Sequence, residues 1–255
     1  MTTLAEGAPR VAEPAGVEKL RHNDAAWDAF VIASPLGFHT QLSPWARVKA
    51  ANGWSAVRVV ADGGSGPIGA QVLVRRVGPG PFALGYAPRG PVATAWDAAS
   101  MAAFGAALRR TAKRLRLTHV TVDPPLETDE GRDLFTDAGW RPADDVQPKR
   151  TREVPLGRPE DELWGELRSK WRQYVQKARR SGVVITDGGR DDLETFYEIF
   201  VDTARRSGFI PRTLDSYREV WDAFQPSGAT QLLFARLPGG EAVATLFLLL
   251  SLIHI

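Results

Sequence analysis

The chain has 255 residues, 44% of them hydrophobic, enough to bury a substantial core in one large domain or two small ones. Its 32 basic and 30 acidic residues leave a formal net charge of +2, so a nucleic-acid partner would have to be met by local clusters of cations and not by bulk charge. The absence of cysteine excludes disulfides, thiolate catalysis and cysteine-ligated metals together, and fits a cytoplasmic protein.

The start, MTTLAEGAPRVAEPAG, holds no apolar stretch of signal-peptide length, and residues 1–20 read as a disordered leader. Asp24 to Ala33 and Pro44 to Ala51 read as short helices, the second stopped by Asn52-Gly53. SAVRVVAD, PIGAQVLVRRV and PFALGYAP are β-branched or aromatic runs separated by Gly- and Pro-rich turns, which predicts an antiparallel meander. From Thr94 to Leu115 a helical period runs through Met101, Phe104, Leu108 and Leu115, with cations gathered in the last turns. LTHVTVDP follows as a strand, Glu127 to Ala138 as a helix, and KRTREVPL as a closing strand. This order predicts an α/β layered domain over residues 21–157.

A second domain is expected over residues 158–255. Pro159 and the acids after it open a helix whose apolar positions, from Leu163 through Leu167 and Trp171 to Ala178, keep a spacing of three and four up to a stop at Gly182. VVITD, helices over Asp192 to Arg206 and Leu214 to Phe224, and two strands joined at Pro238-Gly239-Gly240 complete it. The final apolar run, AVATLFLLLSLIHI, is about 14 residues, short of the ~20 of a membrane span, and reads as a strand that needs cover on both faces. The expectation is a second domain that is incomplete at Ile255.

Several patterns have bland explanations. The pentad ARRSG, at Ala178 to Gly182 and Ala204 to Gly208, is the chemistry of a helix end. RRVGPG, Arg75 to Gly80, has the spacing of a coenzyme A pyrophosphate loop, but a strand follows it where that loop needs a helix N-terminus, so it reads as a hairpin turn. His22, His39, His119 and His254 have no metal-ligand spacing, and DPPLETDE reads as a strand-ending turn with a helix cap. The helix after Pro159 is more informative. Its acids come first, and Arg168, Lys170, Arg172, Lys177, Arg179 and Arg180 follow, a split that the helix dipole alone would favour. Arg172 stands out beside the apolar Trp171, where a planar five-donor guanidinium suits a phosphate or carboxylate.

The segments QLSPWARVKAANGW, YAPRGPV, DAGWRPADDVQPKRTREVPL and LWGELRSKWRQYVQKARRSGVVITD, with the residues that follow to FIPRT, together resemble the FemABX (Fem-type) aminoacyltransferases. The resemblance implies an α/β fold of two tandem GNAT-like domains, with mixed or antiparallel sheets flanked by helices. It implies transfer of an amino acid from aminoacyl-tRNA, as co-substrate and with no other cofactor, to the peptide of a peptidoglycan precursor. That precursor is either lipid II or the soluble nucleotide-linked form, and a lipid-linked one would bring the protein to the inner face of the membrane. Lys49 and Arg172 resemble the family's pair of phosphate-gripping cations, and Tyr217 an aromatic of the same cleft. Arg89 of YAPRGP and Trp45 of SPWAR join them as substrate-binding candidates. Arg168, Lys170, Lys177, Arg179 and Arg180 are candidates for tRNA, and the proton acceptor is unassigned. A coenzyme A-dependent N-acyltransferase and a non-catalytic binding module stay open as alternatives.

Overall fold

A computed structural model of the chain describes residues 15–126, 129–148 and 157–250. Two compact units emerge from its contacts: residues 1–46 with 53–147, and residues 47–52 with 148–255. The chain is of the α/β class expected, with one mixed and one antiparallel sheet flanked by helices.

In the first unit, α1 (Ala15–His22) occupies the last residues of the expected leader, held by Val17, which is 3% exposed. Then come α2 (Asp24–Ala33), whose N-cap Asn23 side chain accepts from the Ala26 N–H at 2.8 Å, and the start of α3 (Ser43–Ala51). The meander is as predicted: β1 (Ser55–Asp62), β2 (Pro67–Arg76) and β3 (Ala83–Ala87) pair antiparallel in sequence. A two-residue strand, β4 (Val92–Ala93), pairs with β2. α4 (Ala98–Leu115) then crosses over to β5 (Leu117–Val122), which lies parallel to β3. α4 begins where Asp97 accepts from the Ser100 N–H, and buries Met101, Phe104 and Leu108 against Ile68, Ala70 and Val72 of β2. α5 (Asp129–Asp137) closes the described part of this unit.

The other face of β2 is also buried. A Cβ at Gly69 would meet the Trp27 ring of α2 at 3.1 Å, so any larger residue would push the strand and the ring apart by a few tenths of an ångström. β4 pairs with β2 at Ile68 and Gly69, and β3 pairs from Leu73 onward, which leaves Gln71 with no strand on that side. The Gln41 amide fills the gap: its Oε1 accepts from the Gln71 N–H at 2.7 Å, and its Nε2 donates to Pro88 O at 2.8 Å. A buried backbone donor that no strand can satisfy is thus satisfied by a side chain.

The second unit contains α6 (Glu160–Glu166), α7 (Ser169–Arg180), β6 (Val184–Gly188), α8 (Leu193–Ser207), α9 (Leu214–Phe224), β7 (Thr230–Arg236) and β8 (Ala242–Leu249). Its sheet runs β6-β7-β8, antiparallel throughout. Leu232, Phe234 and Phe247 face the helices and pack with Leu193, Phe196 and Trp221. The Pro238-Gly239-Gly240 hairpin and the helix stops at Gly182 and Gly208, both with positive φ, are as predicted.

The structure departs from expectation most clearly after Pro159. The helix read from Pro159 to Gly182 is two helices, because Leu167 and Arg168 are extended, with ψ of 135° and 142°. Arg172 holds the break: its Nη1 donates to Leu167 O at 2.6 Å and to Gly165 O at 2.8 Å, carbonyls that a continuous helix would have used itself. The apolar stripe does not pack inward either. Neither helix buries a residue, and Trp171 is 59% exposed. The strand expected over 149–156, the start of the leader and the final SLIHI lie outside the described residues.

Candidate functional site

Two groups of polar side chains stand out, one in each unit. In the second, residues 47–52 run along α9: the Arg47 guanidinium donates to Ala223 O at 3.4 Å, and Asn52 Nδ2 donates to Glu219 Oε2 at 2.9 Å. This brings Lys49 beside Glu219 and beside Arg212, which lies in the connection before α9. Burial pushes the Lys49 ammonium below its ordinary range, and the Arg212 charge pushes the same way, with Glu219 opposing. Two cations against one carboxylate is a net positive site whose members repel each other. An incoming diphosphate would relieve that repulsion and pair with both.

Tyr217 belongs to this neighbourhood as well. Its hydroxyl is pushed up by burial and drawn down by Arg212. Its ring packs into an aromatic group, 5.0 Å from Phe196 and 5.5 Å from Phe200, so it is part core and part site wall.

Arg172 sits on the α6 carbonyls through Nη1. Its Nε and Nη2 have no protein partner among the described residues. Of the expected tRNA cations, Lys170 lies over the Tyr174 ring at 5.7 Å and Arg179 over the Trp164 ring at 5.5 Å. Arg180 donates to Gln176 O at 3.4 Å, and Arg168 and Lys177 are exposed. Arg158 takes up both Glu162 (3.1 Å) and Glu166 (2.6 Å), acids that would otherwise face the α7 cations as neighbours.

In the first unit, YAPRGP forms a tight structure around one carboxylate. Tyr86 OH donates to Asp123 Oδ2 at 3.0 Å, the Arg89 N–H donates to Asp123 Oδ1 at 2.5 Å, and the Asp123 N–H returns to Gly90 O. Gln147 Nε2 donates to the Tyr86 oxygen at 2.8 Å. Burial raises the Asp123 carboxyl despite these donors, and raises Tyr86 to about 12. Arg89 reaches this geometry with a φ of 54°, unusual for a residue with a side chain, and its guanidinium lies over Phe38 at 5.6 Å. Trp45 meets His39 edge-on at 5.6 Å, and burial depresses His39 to about 4.

Sequence reasoning named Lys49, Arg172, Tyr217, Arg89 and Trp45, but missed Arg212, Glu219 and the Tyr86–Asp123–Gln147 group. From sequence, Asp123 can be posed as a carboxylate pair with Glu127 or Asp129, but DPPLETDE reads more simply as a strand-ending turn and a helix cap. No local spacing could have joined Asn52 to Glu219, 167 residues apart. Among the described residues, no group of three or more His, Cys, Asp or Glu is placed to hold a metal ion.

The FemAB family model matches residues 23–133 and 143–247. The chain is 30% identical over 241 residues to a lipid II:glycine glycyltransferase of Staphylococcus aureus strain MRSA252, covering 89% of this chain and 57% of that protein. The protein of the same name from strain COL is 29% identical over the same shares. A crystal structure of FemX superposes with a TM-score of 0.73 at 26% identity, covering 84% of this chain and 56% of that one. The chain thus spans a little over half the length of the curated relatives it matches.

Proposed function

This chain belongs to the FemAB family, and from that premise we propose that the protein is a peptide-bond-forming aminoacyltransferase acting on a peptidoglycan precursor, with lipid II as acceptor. The carrying observation is the 30% identity, over 89% of this chain, to relatives named for glycine transfer to lipid II. The donor in this reading is an aminoacyl-tRNA, glycyl-tRNA being the first to test.

In this reaction the acceptor amine attacks the ester carbonyl. A C–N bond forms, the C–O bond to the tRNA ribose breaks, and the amine loses a proton. The ester is already activated, so no enzyme nucleophile is needed and positioning supplies most of the effect. Lys49 and Arg212 hold the diphosphate, with Arg172 offering its remaining donors, each such charged contact being worth about 1.5–3 kcal/mol. The proton that the amine loses is taken up by the departing ribose oxygen. Arg168, just before α7, and the α7 cations Lys170, Lys177, Arg179 and Arg180 contact the tRNA backbone, an interaction that weakens with salt. The protein works at the cytoplasmic face of the membrane, where a lipid-linked acceptor resides; no helix among the described residues is long and apolar enough to cross it.

A coenzyme A donor is disfavoured by the Arg75 to Gly80 turn, where the Val77 N–H bonds Phe82 O at 3.1 Å and a strand follows. The deciding experiment supplies the complete protein with lipid II and either glycyl-tRNA or acetyl-CoA, following the acceptor by mass. Addition of one glycine from the tRNA is expected. Acetylation from coenzyme A with no transfer from tRNA would replace this reading by the other.

A further inference from the structure

The hairpin between β2 and β3 combines features that the transfer reaction does not use. Its tip, Gly78-Pro79-Gly80-Pro81, is flanked by Val77 and Phe82, which are 50% and 54% exposed. Arg75 and Arg76 end β2 just before it. The base of the hairpin joins the end of α4, since the Ala83 N–H donates to Arg116 O at 3.1 Å. Arg116 therefore lies beside the hairpin base, with Lys113 and Arg114 just before it in the last turn of α4, all three exposed. None of these five cations is ion-paired among the described residues, and neither 75–83 nor 109–119 contains an acid. Arg75 lies over the Trp54 ring at 5.6 Å, and Trp54, Arg75, Arg76, Pro81 and Leu115 line a cavity of about 540 Å³.

We infer that this hairpin and the end of α4 form a docking surface for an anionic lipid bilayer. Apolar side chains at a tip with cations behind them match the bilayer interface, where the apolar groups enter among the acyl chains and the cations meet lipid phosphates. Two of the four tip residues are prolines with no N–H to desolvate, and the Val77 N–H is already bonded, so shallow insertion leaves few backbone donors unsatisfied. The Trp54 cavity, with guanidinium groups at its edge, suits one phospholipid headgroup. An RNA backbone would engage the same cations but gives Val77 and Phe82 nothing to bury against. This surface goes beyond the proposed transfer reaction, because it would hold the protein to lipid with no precursor present.

The test is sedimentation of the complete protein with phosphatidylcholine vesicles, with and without about 30% phosphatidylglycerol, and no precursor or tRNA. Each cation near an anionic surface multiplies partitioning about fivefold, so binding at least about tenfold stronger to the anionic vesicles is expected. The double variant Val77→Ser/Phe82→Ser, which leaves charge unchanged, should lower that binding at least about tenfold. Arg75→Glu/Arg76→Glu should return it to the level of neutral vesicles. All these side chains are exposed, and an unchanged melting temperature confirms that the variants fold. Equal binding to both vesicle types overturns the inference. So does full binding by the Val77/Phe82 variant; if that variant also keeps salt-sensitive tRNA binding that Arg75→Glu/Arg76→Glu loses, the face belongs to RNA. Glycine transfer is scored separately on lipid II held in detergent, without vesicles, so failure of one reading leaves the other readable.

Discussion

The two sheets differ in how they are covered. β2 of the first unit has six consecutive residues, Ile68 to Leu73, buried, because α4 packs on one face and Trp27 of α2 on the other. In the second unit, among the described residues, only the face bearing Leu232, Phe234 and Phe247 meets helices, while Ile185 and Leu246 on the opposite face are 64% and 52% exposed. The sequences of the strands do not announce this difference, since the less covered strand, AVATLFLL, is the more apolar, with seven hydrophobic residues of eight against five of eight in PIGAQVLV. What differs is the layer above them, and burial, not composition, sets what each position is worth.

The contrast can be tested by mutation. Phe104→Ala, in the doubly covered unit, should cost about 4 kcal/mol, read as a shift of the denaturant midpoint, since the ring is fully buried and leaves a cavity. A loss below about 1 kcal/mol would mean that the α4 layer is loosely packed.

His39 in the same unit makes stability pH-dependent. Its ring resists protonation in the fold, with a pKa near 4, but not in the unfolded chain, at 6.5. Its contribution is therefore full above pH 6.5 and lost as pH falls toward 4, at most about 3 kcal/mol. The raised Asp123 titrates in the opposite sense, so the informative quantity is the wild-type melting curve minus that of His39→Gln across this window. A flat difference would place His39 in water.

In the second unit the expected effects concern binding more than stability. Arg172→Ala should raise the precursor's dissociation constant at least about tenfold, near 1.4 kcal/mol, measured by calorimetry. Unchanged affinity with an unchanged melting temperature would remove Arg172 from the site. The smallest effect belongs to the open face: Leu246→Thr should change stability by less than about 0.5 kcal/mol. A loss several times larger would show that this face is covered in the protein as it works.

Much of the chain was legible because its signals are local. The meander, α4, β5 and the β7–β8 hairpin follow from alternation, helical period and turn residues, and caps such as Asp97 and Thr213 act within three residues. The break at Leu167 and Arg168 was not legible, because the apolar spacing runs through it. Only the donation from Arg172 to Gly165 and Leu167 makes two helices preferable to one. Gln41 was equally silent: nothing near it signals that its amide will stand in for a missing strand beside Gln71.

By itself, then, the order of residues determined most helix and strand boundaries, the break at Leu167 and Arg168 apart, and which family the chain resembles, since propensity, capping and periodicity depend on neighbours a few positions away. Only the tertiary structure decided which sheet face is buried, that Arg212 and Glu219 flank Lys49, and that Asp123 is ringed by Tyr86 and Arg89. These are meetings of side chains far apart in the chain. Their energies depend on distance and desolvation, which exist only once the chain has folded.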